Sequence, residues 1–265
     1  MHGNALFRVV IYYVCGNSQN QGETMIRTKS FSGIAALFLC ATLVTTNAVA
    51  NGINESGRSS TETRQVTNFS RILISGSGIV QVTPGGQYHL DVTADDAYLR
   101  YITTEVSGDT LVLGFRSGVR MAFHSSPRFN ISLPELNEVK ISGSGSVTLQ
   151  RVARASQFEA AISGSGSMKG PIDVGSFVTR ITGSGNLEFS GHAKSMTVEV
   201  SGSGNVNYRA LVADTAKVSM SGSGNVWIVA NNTINGSITG SGNLHYGGTA
   251  RPAIRSSGSG RIQPL

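Results

Sequence analysis

From Val139 onward, apolar and polar residues alternate with a period of two, and the alternation breaks at regular intervals on the same four residues. One residue before each break stand Ile141, Ile162, Ile181, Val200, Met220 and Ile238. Three before it stand Val139, Ala160, Thr179, Val198, Val218 and Gly236, and five before it Phe158, Phe177, Met196, Ala216 and Ile234. The positions between are mostly polar, among them Lys140, Arg180, Glu199, Ser219 and Ser237. After each break the pattern resumes with Val147, Met168, Leu187, Val206, Val226, Leu244 and Ile262. Two residues further on come Leu149, Phe189, Tyr208, Ile228 and Tyr246. A period of two belongs to strands with one buried face.

The breaks are a Ser/Thr-Gly-Ser-Gly motif beginning at Ser75, Ser142, Ser163, Thr182, Ser201, Ser221, Thr239 and Ser257. From Ser142 the spacings are 21, 19, 19, 20, 18 and 18 residues. Near-constant self-similarity of that length is the signature of a solenoid. The pattern predicts an all-β chain: a parallel β-helix or solenoid with coils of about 20 residues and an N-terminal β-rich cap portion. Each coil reads as strand, glycine corner, strand and a looser return such as Ser190-Gly191-His192-Ala193. The structural turn residues are Gly143, Gly145, Gly164, Gly166, Gly183, Gly185, Gly202, Gly204, Gly222, Gly224, Gly240 and Gly242. Such corners need positive φ or close backbone approach. The serines between these glycines are expected to stack as a hydroxyl ladder, and Asn186, Asn205, Asn225 and Asn243 as a ladder of amides.

Residues 66–134 alternate too, but around conventional turns such as Pro84-Gly85-Gly86. They either open the same solenoid with longer coils or form a β-cap over its first end. The reading divides the chain into an upstream extension (1–24), a signal peptide (25–50), a flexible polar segment (51–65), the N-terminal β portion (66–134) and regular repeats (135–265). The signal is carried by Arg27 and Lys29, the apolar stretch Phe31 to Val44, and Ala48-Val49-Ala50 before a cleavage point at Asn51. Met25 is the expected start, since a complete signal follows it and Gly22-Glu23 fits a purine-rich ribosome-binding sequence upstream.

Composition narrows the function classes. Charged residues are 14%, well below the roughly 25% of ordinary soluble domains, and there are 33 glycines. The formal charge of +6 is partly the leader's: Arg8, Arg27, Lys29 and Glu23 fall in the first fifty residues, leaving 18 basic and 14 acidic residues beyond. These are scattered singly, without the run a phosphate-tracking surface needs, so no nucleic-acid partner is expected. Only Cys15 and Cys40 occur, both upstream of the cleavage point, so thiolate chemistry is excluded from the mature chain. The glycine corners lead into strands rather than into a helix N-terminus, which argues against a phosphate cradle. They also lack the aspartate of calcium-binding nonapeptide repeats. No metal or cofactor is expected.

At this point the chain resembles the head GIN domain family of bacterial auto-transporter adhesins, also catalogued as a domain of unknown function. The resemblance runs from about Gln65 to the C-terminus. It rests on Phe69-x-x-Ile72-x-Ile74-Ser-Gly-Ser-Gly78, on Asp91-Val92-Thr93-Ala94-Asp95, and on Tyr101 to Val106 with Leu111-Val112-Leu113. It continues through Leu133-Pro134-Glu135-Leu136 into the first regular corner. The resemblance implies an exported or surface-associated parallel β-helix and brings no catalytic residues.

The candidate chemistry is sparse. Asp173, Asp214, Glu188 and Glu199 are dispersed, as are His89, His124, His192 and His245, so no enzyme activity is expected. The outward row two residues beyond each corner reads Thr148, Lys169, Glu188, Asn207, Trp227, His245 and Gln263. Within it, Trp227, Asn207 and His245 form the candidate ligand patch, where an exposed indole would stack on a sugar ring. The expected function is therefore an exported, non-enzymatic binding or structural module at the bacterial cell envelope, periplasmic or on the cell surface. Its partner would be an envelope or surface ligand such as a polysaccharide, with no integral membrane segment after signal cleavage. The alternatives are a carbohydrate-active β-helix enzyme, marked by two carboxylates within catalytic distance on one face, and a scaffold that self-assembles by end-to-end stacking.

Overall fold

The computed structural model describes residues 56–118 and 126–265. The upstream extension, the signal and its cleavage point, Cys15, Cys40 and His124 lie outside the described residues.

Alternation at the N-terminal side yields β1 (Ser59–Thr63), β2 (Arg71–Gly76), β3 (Ile79–Pro84) and β4 (His89–Asp95). A single turn of helix, α1 (Asp96–Leu99), leads to β5 (Ile102–Ser107), β6 (Thr110–Phe115) and β7 (Arg128–Leu133). Then come β8 (Glu138–Gly143), β9 (Ser146–Leu149) and β10 (Ala153–Gly164). The long strands β11 (Ser167–Gly183), β12 (Asn186–Gly202), β13 (Asn205–Gly222) and β14 (Asn225–Gly240) each run from one glycine corner to the next. The chain finishes with β15 (Asn243–Gly247), β16 (Pro252–Ser257) and β17 (Ile262–Pro264).

The regular coils pair in parallel with their equivalents. Ile162 lies opposite Ile141 and Ile181, Val200 opposite Ile181 and Met220, and Met220 opposite Ile238. The return segments are hydrogen-bonded strand rather than the looser connection expected from sequence: Ser190, Gly191 and Ala193 pair with Ala210, Leu211 and Ala213. A stacked coil leaves every backbone amide a partner above or below, so even glycine-containing returns are drawn into the ladder.

Inside, the period-two columns close into one core. Phe158, Phe177, Phe189 and Tyr208 are fully buried, with Phe158 stacked on Phe177 at 5.7 Å and Phe189 edge-on to Phe177 at 5.2 Å. Each such side chain contributes roughly 1.5–3 kcal/mol by leaving water, and an aromatic pair of good geometry adds about 1 kcal/mol.

The N-terminal part both opens the solenoid and caps it, in an order the chain does not follow. β2 and β3 form a true coil, paired in parallel with β8 and β9. On their other side lie β6 and β7, which come later in sequence yet form the outer rung. There the glycine corner is replaced by aromatic packing: a Cβ on Gly76 would lie 3.1 Å from the Phe115 ring, and one on Gly78 would lie 2.9 Å from Phe129. β4 and β5 then run antiparallel on β7 and β6, and β1 runs antiparallel on β4, so the outer rung has paired edges. Residues 59–63, part of the polar segment read as flexible, are thus β1.

Candidate functional site

Most of the recurrent polar residues are at the glycine corners. Gly143, Gly164, Gly183, Gly202, Gly222 and Gly240 have φ between +112° and +132°, a region that side chains resist. Their partners two residues on serve packing: a Cβ on Gly185 would lie 2.6 Å from Ile162 Cγ2, and one on Gly204 2.5 Å from Ile181 Cγ2. The rest of the set, Gly145, Gly166, Gly224 and Gly242, repeats that close approach. The corner amides are engaged as well. Ser184, Ser203 and Ser223 donate their backbone N–H to the carbonyls of Gly164, Gly183 and Gly202, each at 2.9 Å. An anion would find these donors taken.

Beside the corners the amide ladder is continuous. Asn205 Nδ2 donates to Asn186 Oδ1 at 3.1 Å, Asn225 Nδ2 to Asn205 Oδ1 at 3.2 Å, and Asn243 Nδ2 to Asn225 Oδ1 at 3.0 Å. The expected hydroxyl ladder takes another place. Among the described residues the serine-to-serine bond between rungs is Ser167 Oγ to Ser146 Oγ, 3.2 Å, in the column that the asparagines continue. The serines between the glycines are exposed instead, and it is their backbone N–H that makes the rung-to-rung bond.

The outward row stands in register from Thr148 through Lys169, Glu188, Asn207, Trp227 and His245 to Gln263. Asn207, Trp227 and His245 therefore sit side by side on three successive coils, each half-buried. The His245 ring stacks on the indole at 5.2 Å and 16°, and Gln263 Nε2 lies 3.1 Å from His245 Nδ1. On the preceding coil, Arg209 places its guanidinium over the indole, 4.5 Å from the ring centroid. Asn207 Oδ1 is buried and has no hydrogen-bond partner.

Arg209 is outward by the same alternation, one place beyond Tyr208, but alternation alone does not set it over the indole. Between Asn207 and Val212 β13 takes five steps, while its neighbour takes two, from Trp227 to Val229. The surplus bulges outward and carries Arg209 and Ala210 into solvent. The signal was in the motif spacing, which drops from 20 residues after Ser201 to 18 after Ser221. Coils of unequal length stacked in register must expel the difference somewhere.

Carboxylates do approach one another elsewhere. Glu138 and Glu159 are register partners on adjacent coils. Each is committed to cations: Glu138 to Lys140 and to Arg71 at 3.6 Å, and Glu159 to Arg180 at 2.7 Å, which also reaches Glu199 at 2.9 Å. These are two neighbouring groups of ion pairs, Arg71–Glu138–Lys140 and Glu159–Arg180–Glu199, in which each carboxylate faces a cation rather than a free base. Of the other described histidines, His89 pairs with Asp91 at 2.9 Å and His192 with Asp214 at 3.6 Å, far apart in the coil scheme. Among the described residues no three His, Asp or Glu side chains gather as metal ligands, and no helix is long and apolar enough to cross a membrane.

Residues 68–250 match the family model described as "Putative auto-transporter adhesin, head GIN domain". Solved structures share the architecture. A "putative adhesin" from Bacteroides fragilis superposes with a TM-score of 0.77 at 22% identity, covering 81% of this chain and 100% of that one. A "putative lipid binding protein" from Parabacteroides distasonis gives 0.66 at 23%, covering 80% and 99%, and a "putative adhesin" from Parabacteroides merdae gives 0.63 at 18%, covering 81% and 99%. Comparison with functionally curated proteins finds no match.

Proposed function

Since the chain belongs to the head GIN domain family and is an adhesin-like β-solenoid, we propose that it is an exported, non-enzymatic binding module of the bacterial cell envelope that holds a polysaccharide on its outward row at Asn207, Trp227 and His245. In this reading residues 25–50 are removed on export. Residues 66–134 and 135–265 then work as one scaffold, the first closing the end of the second.

One observation carries the proposal. The repeated polar positions are consumed in holding coil to coil, whereas the outward row is in register but chemically varied. Identical residues stacked in a column hold the coils together. Different residues stacked in a column present a surface that can be specific. The ion-paired state of Glu138 and Glu159 supports a binding role over hydrolysis.

The test is binding of the full chain to a panel of neutral and acidic envelope polysaccharides. Saturable binding to at least one, weakened fivefold or more by Trp227→Ala, is the expected result. No binding across the panel, or binding indifferent to changes at Asn207, Trp227 and His245, would overturn the reading.

A further inference from the structure

Both sides of the Trp227 indole are flanked. Trp227 is on β14, Arg209 reaches it from β13, and His245 stacks on it from β15. A sugar ring seeking an aromatic face would have to displace one of them. Immediately beside Arg209 an open groove of about 540 Å³ crosses the coils, lined by Lys169, Gly170, Pro171, Glu188, Asn207 and Arg209. Building on the polysaccharide reading, we infer that a ligand held at the Asn207 patch extends into this groove, and that it is an acidic saccharide bearing a uronate-type carboxylate.

The donors and acceptors of the groove set that choice. Lys169 and Arg209 are exposed, and among the described residues neither is in an ion pair. They lie two coils apart, about 10 Å at the usual strand spacing. Arg209 is held by a ring, which leaves its charge free and its N–H groups available for a carboxylate. Between the two cations stands an acceptor, the Glu188 carboxylate in register with Lys169, beside the half-buried Asn207 amide. A uronate satisfies both halves of the groove, its carboxylate taking a cation and its hydroxyls donating to Glu188. Inorganic phosphate or sulfate fits poorly, because its charge is spread over every oxygen and it brings Glu188 few or no hydroxyl donors held apart from that charge. A neutral glycan leaves both cations unused. Trp227 is then a positioning residue that aims Arg209 at the groove.

The chain has one tryptophan, so its emission reports on Arg209 directly. The experiment titrates the full chain with oligogalacturonate, with a neutral maltooligosaccharide and with inorganic phosphate, following Trp227 fluorescence and, independently, calorimetric heat. Oligogalacturonate is expected to bind saturably, to weaken as salt rises, and to shift the emission as the guanidinium turns from ring to carboxylate. Lys169→Gln and Arg209→Gln should each lower affinity about tenfold with an unchanged melting temperature. Trp227→Phe, which keeps a face for Arg209, should cost about twofold, and Trp227→Ala about tenfold. Equal binding of the neutral sugar, unaffected by Arg209→Gln, would sink this inference and leave the polysaccharide reading standing. Phosphate bound as tightly as uronate would reduce the groove to a nonspecific anion patch and sink it too. Silence from all three ligands, repeated across the wider polysaccharide panel, would remove both.

Discussion

The regular coils β10–β14 and the N-terminal portion β1–β7 are strands of the same sheet system, yet they are specified in opposite ways. In the coils one rule is applied again and again: a glycine at positive φ, an asparagine directly after its partner glycine, an apolar residue at every second place. In the N-terminal portion each contact is particular. Phe115 and Phe129 close the glycine corner at Gly76 and Gly78, antiparallel neighbours finish the edges, and one aspartate ties down Ser56 and Gly57. Repetition gives stability that is shared among near neighbours, so damage in the middle of the stack should propagate both ways, while damage in the cap should stay local.

The sharpest way to break that comparison is glycine replacement on both sides of it. In Gly222→Ala the new Cβ would lie 2.1 Å from the Gly202 carbonyl oxygen, at φ +128°. The backbone on both sides is fixed by rung-to-rung bonds, so the expected cost is about 3–5 kcal/mol and a markedly lower thermal midpoint. In Gly85→Ala, at φ +80° in the turn after β3, nothing lies within 4 Å of the added atom, and about 1 kcal/mol is expected. Equal losses in thermal melts of the two variants would show that the coils are no more tightly specified than the turn.

What the sequence made legible follows from the same contrast. The columns headed by Ile141, Phe158 and Val147 could be read because each residue recurs in kind at a fixed spacing, and so could the asparagine ladder. The inverted rung order could not. Leu111 and Leu113 alternate like any strand, and nothing local says that they pair outside Ile72 and Ile74 rather than following Val92. That choice is made by Phe115 and Phe129 landing on Gly76 and Gly78, a contact between residues some forty to fifty positions apart. The candidate site divides similarly. Trp227 and His245 were legible as neighbours from coil arithmetic, but Arg209 over the ring depends on where unequal coils release their surplus residues.

A gentler probe addresses the ladders. Asn205 donates to Asn186 and accepts from both the side chain and the backbone of Asn225. Asn205→Ala leaves partners on two coils unsatisfied, at an expected cost of about 1–2 kcal/mol in denaturant titration. The counterpart in the cap is Thr61, whose hydroxyl meets that of Thr93 at 2.7 Å on an exposed surface. Thr61→Val should lie within about 0.5 kcal/mol of the parent, since water replaces the lost bond. A ladder position no more costly than the threonine pair would mean that side-chain repetition adds little to the backbone ladder.

The smallest global effect, and the most local, is expected at Asp95. Its carboxylate accepts backbone N–H bonds from Ser56 at 2.9 Å, Gly57 at 2.8 Å and Ala97 at 2.9 Å, capping α1 and tethering the residues before β1. Burial by itself would raise the pKa, but the bonds from Ser56, Ala97 and Gly57 outweigh it and hold the group below its usual 3.8. A carboxyl with a depressed folded-state pKa stabilises the folded form above its unfolded-state value, and that contribution disappears as pH falls through the folded one. Acidification from pH 5 toward about pH 2 should therefore loosen the tether, while the coils lose only ion pairs of small worth such as Arg180–Glu199. Hydrogen exchange, corrected for intrinsic rates, should show β1, Gly57 and Ala97 losing protection while β11–β13 keep theirs. Asp95→Asn should reproduce the loosening at neutral pH with little change in melting temperature, because β1 buries none of its five residues. If β11–β13 lose protection together with β1, the cap and the coils are one cooperative unit, and the difference in how they are specified does not extend to how they unfold.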